Sequence, residues 1–164
     1  MTPGPPRLIG VISDTHGLVR PEAVAALQGV ELILHAGDIG GPEVMTELGR
    51  IAPVRAVRGN NDRDAWARAL PETDVVQVGA VSIYVLHDLA TLDLDPKAAG
   101  IQVVISGHSH KPKAERRDGL LYLNPGSAGP RRFNLPIGLA RMSIEGAAVE
   151  YHLVELAIDR AATH

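Results

Sequence analysis

The side chains able to do chemistry fall in five short islands: Ser13-Asp14-Thr15-His16, Gly37-Asp38, Gly59-Asn60-Asn61-Asp62, Leu86-His87-Asp88 and Gly107-His108-Ser109-His110. Asp14, His16, Asp38, Asn60, His87, His108 and His110 offer carboxylate oxygen, amide oxygen and imidazole nitrogen, the donors that a hard-to-borderline divalent cation takes. Each island follows or ends an apolar run. Seven donors at the ends of five strands suffice for two cations, and that pattern points to a two-metal hydrolase.

The elements that position these islands are legible from punctuation and periodicity. Apolar runs at Arg7–Ser13, Glu31–His35 and Pro53–Arg58 read as strands. Between them, Pro21–Gln28 and Pro42–Gly49 read as helices, each with proline in its first turn, and glycine closes each one. Strand, helix, strand, helix, strand implies parallel pairing with right-handed crossovers. A short helix carrying Trp66 follows Asp62. The later chain reads as a hairpin over Asp74–Val78 and Val81–Leu86, then a strand at Ile101–Ser106. A second hairpin spans Lys113–Arg117 and Leu120–Leu123 around Asp118-Gly119, and a third spans Ile137–Ile144 and Ala147–Leu156. The expected fold is α/β: two packed mixed β-sheets flanked by helices, parallel-rich first and antiparallel later. The expected organisation is a short extended lead, residues 1–6, and one domain over residues 7–164. Parallel sheets bind ligands beyond the carboxyl ends of their strands, so all five islands can face one cleft.

Composition narrows the field. The 164 residues are 45% apolar and 21% charged, with a net charge of -3, so the chain carries no global basic field for duplex nucleic acid. The absence of cysteine excludes disulfides, thiolate zinc sites and cysteine nucleophiles. No apolar run reaches the roughly 18 residues of a membrane span, and no signal peptide is visible, so the expected location is the cytoplasm.

Asp-x-His, Gly-Asp, Gly-Asn-x-Asp, a lone His and Gly-His-x-His, in that order, resemble the calcineurin-like metallophosphoesterase superfamily. With Asn124-Pro125-Gly126-Ser127 and the short length, the likeness is to its small bacterial and archaeal phosphodiesterase branch, which also includes the eukaryotic retromer subunit Vps29. The likeness runs from Ile9 to Leu153. It implies a first metal held by Asp14, His16 and His110, and a second held by Asn60, His87 and His108, with Asp38 bridging. Asp38, Asn60 and His108 then stand closest to the chemistry. It also implies two divalent ions per chain, manganese before iron, zinc or nickel, because imidazole-rich ligation disfavours calcium and magnesium. The implied activity is hydrolysis of a small phosphoester, a diester before a monoester, by a metal-bridging hydroxide. A homodimer is a family-level expectation. The alternative is a non-catalytic, metal-retaining protein scaffold like Vps29.

Two positions depart from the family pattern. Asn61 stands where many relatives carry a histidine beside the leaving group, and asparagine cannot act as a general acid. Asp88 stands where glycine is usual, and can either orient a ligand imidazole or narrow the site. Arg58, Arg131 and Arg132 flank the motifs and offer forked donors to phosphate, though each is also an ordinary surface residue. Asp62 reads as an acceptor within its own turn, His35 as a packed and hydrogen-bonded histidine, and Gly126 with Ser127 as shapers of a loop near the metals. His152 and His164 are expected to face solvent. Asp or Asn at a strand end before a helix is ordinarily a cap; three of them with four matching histidines favour ligation.

Overall fold

The computed structural model describes residues 5–158. Residues 1–4 of the expected lead, residues 159–164 of the expected domain, and with them His164, lie outside the described residues. Pro5 and Pro6 are exposed and precede the first strand.

The elements in chain order are β1 (Arg7–Ile12), α1 (Pro21–Ala26), β2 (Leu32–His35), α2 (Pro42–Gly49), β3 (Val54–Ala56), α3 (Ala65–Arg68), β4 (Thr73–Val78), β5 (Val81–Leu86), β6 (Val103–Ile105), β7 (Lys113–Arg117), β8 (Leu120–Asn124), β9 (Gly138–Glu145) and β10 (Ala148–Glu155). A 3-10 turn, Leu89–Thr91, follows β5. The first sheet has the order β10-β9-β1-β2-β3, and the second β4-β5-β6-β8-β7. β1, β2 and β3 are parallel. β9 lies antiparallel to β1, and β10 to β9. In the second sheet β5, β6 and β8 are parallel to one another, with β4 and β7 antiparallel at the edges.

One expectation needs correction. The later half is not simply antiparallel: its hairpins supply edges, and the centre of the second sheet is a parallel trio. The third hairpin joins the first sheet instead. Hairpin turns report only on their own two strands, so the sheet a hairpin joins is set by which apolar faces it can bury. The expected flanking helices pack on the first sheet. α1 buries Ala23 and α2 buries Val44 and Leu48 against the outer face of the first sheet. The outer face of the second sheet, with Tyr84, Leu86 and Val104, is covered by Leu92, Leu94 and Ile101 from the segment before β6.

The main core lies between the sheets. Ile9, Val11 and Leu34 face Ile83, Val85, Val103, Ile105, Leu121 and Leu123, all at most 1% exposed. Asp118 and Gly119 both have positive φ, 53° and 81°, as a two-residue hairpin turn requires. With both parallel trios held by one core, the carboxyl ends of β1–β3 and of β5, β6 and β8 open on a common rim.

Candidate metal centre

Loops leaving those carboxyl ends bring the islands together. The loop after β1 runs along the loop after β2, with Asp14 N–H donating to the Gly37 carbonyl at 2.9 Å and His16 N–H to that of Asp38 at 3.0 Å. Gly107 N–H donates to the His87 carbonyl at 2.9 Å, which ties the β6 loop to the end of β5. Glycine precedes Asp38, Asn60 and His108 because these loops touch. A Cβ on Gly37 would lie 2.7 Å from His87 Nδ1, one on Gly59 would overlap Asp38, and one on Gly107 would overlap Ser13 and lie 2.6 Å from Asp14 Oδ2.

The seven candidate ligands form one continuous cluster. His110 Nε2 lies 3.3 Å from Asp14 Oδ1, and His16 Nε2 lies 4.0 Å from the same oxygen. Asp38 Oδ2 sits between His16 Nε2 at 3.8 Å and His87 Nε2 at 3.4 Å. His108 Nδ1 is 3.3 Å from both Asn60 Oδ1 and His87 Nε2. His87 Nε2 also lies 3.9 Å from Asp14 Oδ1, so His87 faces both carboxylates and joins Asp14, His16 and His110 to Asn60 and His108. Asp14 and Asp38 are buried, while Asn60 and His108 form the exposed lip.

The backbone is strained where it carries ligands. Among the described residues seven non-glycines have positive φ, and five are candidate ligands: Asp14, His16, Asp38, His108 and His110, at 47° to 70°. Such strain persists only where surrounding structure imposes it, and it concentrates at functional sites. It also decides the aim of His108 and His110. Regular extended backbone would point both the same way; their left-handed turns send His108 toward Asn60 and His110 toward Asp14.

Hydrogen bonds fix which ligand atoms face inward. The Ala36 carbonyl can only accept, so His87 Nδ1, 2.8 Å away, carries a proton, and it is Nε2 that faces the cluster and would offer a lone pair to a cation. Asp14 Oδ2 accepts from Ser13 Oγ at 2.6 Å and His108 N–H at 3.1 Å, leaving Oδ1 free. Asn61 donates to Asp38 from its backbone at 3.0 Å and from its side-chain amide at 3.1 Å. Asp62, the expected turn acceptor, takes the Gly59 N–H at 2.9 Å and also those of Ile39 and Gly40, so it joins the β3 loop to the β2 loop.

His35 is fully buried. Gly37 N–H donates to its Nδ1 at 3.1 Å, so its Nε2–H donates to Thr15 Oγ1 at 3.0 Å, and Thr15 donates onward to the Ile39 carbonyl at 2.8 Å. Burial pushes its pKa down to about 4. It is a packed neutral histidine that props the Asp14 and Asp38 loops.

The electrostatics call for a cation. Burial pushes Asp38 up, but the facing His87 ring and the Asn61 N–H outweigh it and hold the carboxyl at about 2. Burial pushes Asp14 up as well, but the facing His110 ring and the Ser13 hydroxyl outweigh it and hold the carboxyl low. His87 moves the other way, raised against burial by Asp38 and Asp14. Two buried carboxylates thus share a pocket in which histidines are the nearest bases, and Asp14 Oδ1 and His16 Nε2 are buried without a hydrogen bond. Buried charge without a partner is costly, so the residues present fit metal. Among the described residues two groups have donors within 4.8 Å of one another: Asp14, His16 and His110, and Asp14, Asp38 and His87.

The remaining candidates are placed as follows. Arg58 lines the cleft with Asn60 and His87, and its Nη2 bonds Glu72 at 3.1 Å. Arg131 donates to the Leu135 carbonyl of its own loop at 3.1 Å. Arg132 is near enough to His16 for its charge to add to the burial that lowers that histidine. Asp88 Oδ2 lies 3.8 Å from His108 Nε2, on the side of the ring away from the cluster. Sequence reasoning quoted Ser13 and Asn124 within motifs but gave neither a role. The latter supports the β6 loop by donating to the Gly107 carbonyl at 2.9 Å, and Ser127 Oγ supports the β1 loop by donating to the Asp14 carbonyl at 2.9 Å. Small polar residues beside ligand islands are the only signal that could have found them.

Residues 8–147 match the model of the calcineurin-like phosphoesterase superfamily domain, and the chain belongs to that family. Among its relatives, a protein of Methanothermobacter thermautotrophicus named "Probable metallophosphoesterase" is 38% identical over 158 residues, covering 90% of this chain and 91% of the relative. A phosphodiesterase of Methanocaldococcus jannaschii is 28% identical over 137 residues, 72% of this chain and 82% of that protein. The fold is also that of Vps29 from Cryptosporidium parvum, with a TM-score of 0.75 at 20% identity, over 93% of this chain and 99% of the other.

Proposed function

We propose that this protein is a metal-dependent phosphodiesterase holding two divalent cations, and that it hydrolyses small phosphoesters. The observation that supports the reading is Asp38 Oδ2, 3.8 Å from His16 Nε2 and 3.4 Å from His87 Nε2, so that one carboxylate is near a donor of each proposed trio. Asp14, His16 and His110 would hold one cation, Asn60, His87 and His108 the other, and Asp38 both. Two cations so held supply Lewis acidity to water and to the phosphoryl oxygen. Four positive charges against two carboxylates leave a surplus that attracts an anionic ester. The exposed lip of Asn60 and His108 is where that ester enters, and Arg58 stands on the same cleft. Manganese is the favoured ion, with iron, zinc and nickel as alternatives.

The fold is shared with Vps29, so a metal-retaining scaffold is the second reading. The complete set of seven donors and the strained backbone beneath five of them favour the enzyme.

The test is elemental analysis and a panel of phosphodiesters on protein stripped of metal and reloaded. Two ions per chain and turnover are expected. Asp38→Asn should keep the fold, lose one ion, and fall in rate by about a hundredfold or more, because such clusters act as a unit. Saturation at one ion sinks the two-metal reading; two ions with no turnover on any ester favour the scaffold.

A further inference from the structure

Two hollows meet at Asp88. One, of about 290 Å³, is the cleft beside His87 and Asn60. The other, of about 320 Å³, opens on the far side of His108, between the Leu89 turn and the β7–β8 hairpin. The metal reading uses the first and leaves the second without a role. Asp88 lines both hollows, and His108, which lines the second, turns its Nδ1 to Asn60 and His87 of the first and its Nε2 to Asp88.

The second hollow has a distinct chemistry. Leu89, Tyr122 and Leu123 give it apolar walls, and Lys111, Lys113 and Arg117 line it with positive charge. Glu115 is shared between Lys113 at 3.8 Å and Arg117 at 3.4 Å, while Lys111 makes no ion pair among the described residues. The Arg117 guanidinium lies 4.4 Å over the Tyr122 ring, which steadies a long side chain. Lys111, Lys113 and Arg117 against Glu115 and Asp88 leave a surplus of one positive charge above apolar walls, which suits an anion carried on an organic arm. A phosphate fits better than a carboxylate, because its three oxygens can occupy several ammonium and guanidinium donors at once.

A phosphodiester has two arms, and the site has two hollows. On the phosphodiesterase reading above, we infer that the hollow beside β7 and β8 is a subsite for one ester arm, and that this arm carries a second phosphate.

The test uses the full chain loaded with manganese and two diesters with the same p-nitrophenolate leaving group. Both carry thymidine through its 5′ oxygen; one also carries a 3′-phosphate. The 3′-phosphate should raise kcat/KM by about tenfold, the scale of one charge-assisted bond in a half-open pocket. Lys111→Ala/Lys113→Ala should bring the ratio between the two substrates to about one, and Lys111→Arg/Lys113→Arg should retain most of it. A ratio near one in the parent, or a tenfold ratio kept by the alanine variant, overturns the subsite. Absence of all turnover defeats the phosphodiesterase reading instead. The subsite is then decided by amide spectra of metal-free protein titrated with thymidine 3′-phosphate. Shifts at Lys111, Lys113 and Tyr122 that vanish in the alanine variant sustain it; their absence, or their persistence in the variant, overturns it.

Discussion

His35 shows how much a single residue outside the ligand set contributes. Its ring is buried, neutral and bonded at both nitrogens, with a pKa lowered from 6.5 to about 4. Above pH 6.5 neither state holds the proton and no penalty exists. Between 6.5 and 4 the unfolded chain binds a proton that the folded chain refuses, so stability falls as pH falls, and below 4 the loss is complete. At about 1.4 kcal/mol per unit, the full loss is about 3 kcal/mol. Denaturant unfolding of metal-free protein at pH 7.5 and 4.5 should show the parent losing about 2.5 kcal/mol more than His35→Gln, most of the full amount; equal losses would refute it. Asn61 gives the second prediction at this scale. It offers Asp38 an amide and offers a leaving group no exchangeable acid. Aryl esters, with acidic leaving groups, should therefore react much faster than alkyl ones. Asn61→His should narrow the gap by about tenfold or more if the ring reaches the leaving oxygen. Log rate against leaving-group pKa, measured for both proteins, is the check; a flat line unchanged by the substitution would contradict it.

Among the elements, the short loops do more than the strands they follow. β6 is three residues long, yet Gly107 behind it lets His108 turn back toward Asn60 while its own backbone touches Ser13 and Asp14. Gly107→Ala should push the β1 and β6 loops apart, weaken metal binding by at least about tenfold, and cost about 1–3 kcal/mol, the usual range for overpacking. Gly49→Ala is the contrast: its Cβ would meet nothing within 4 Å, and alanine is the better helix former, so stability should hold or rise. Thermal melts and metal titrations of the two variants separate crowding at the site from a general effect of removing glycine.

In the whole molecule each ligand trio draws on both sheets. Asp14 and His16 follow β1 in the first sheet and meet His110 from the second; Asn60 follows β3 and meets His87 and His108 from beyond β5 and β6. A cation at either place therefore ties the sheets together and binds the folded chain in preference to the unfolded one. At metal a thousandfold above its Kd the gain is about 4 kcal/mol, or about 10 °C in Tm for a chain of this size. Manganese should raise Tm by that order and a chelator should reverse it. A melt indifferent to both would mean that the donors do not hold metal across the sheets.

The sequence by itself determined the donors, the strand ends that carry them and the glycines that let their loops touch, because strand periodicity, proline and glycine act over a few residues. Asp14, Asp38 and Asn60 were legible as one set, since β1, β2 and β3 are neighbours linked by short crossovers. Only the tertiary structure decided that β5, β6 and β8 form a second parallel trio, that the last hairpin joins the first sheet, and that helices cover one sheet and not the other. It alone brought Asp38 Oδ2 near both His16 and His87, turned His108 and His110 apart, and gathered Lys111, Lys113 and Arg117 around a hollow beside Asp88. These arrangements depend on which apolar faces bury one another across dozens of residues of chain. No local pattern of residue types encodes that choice.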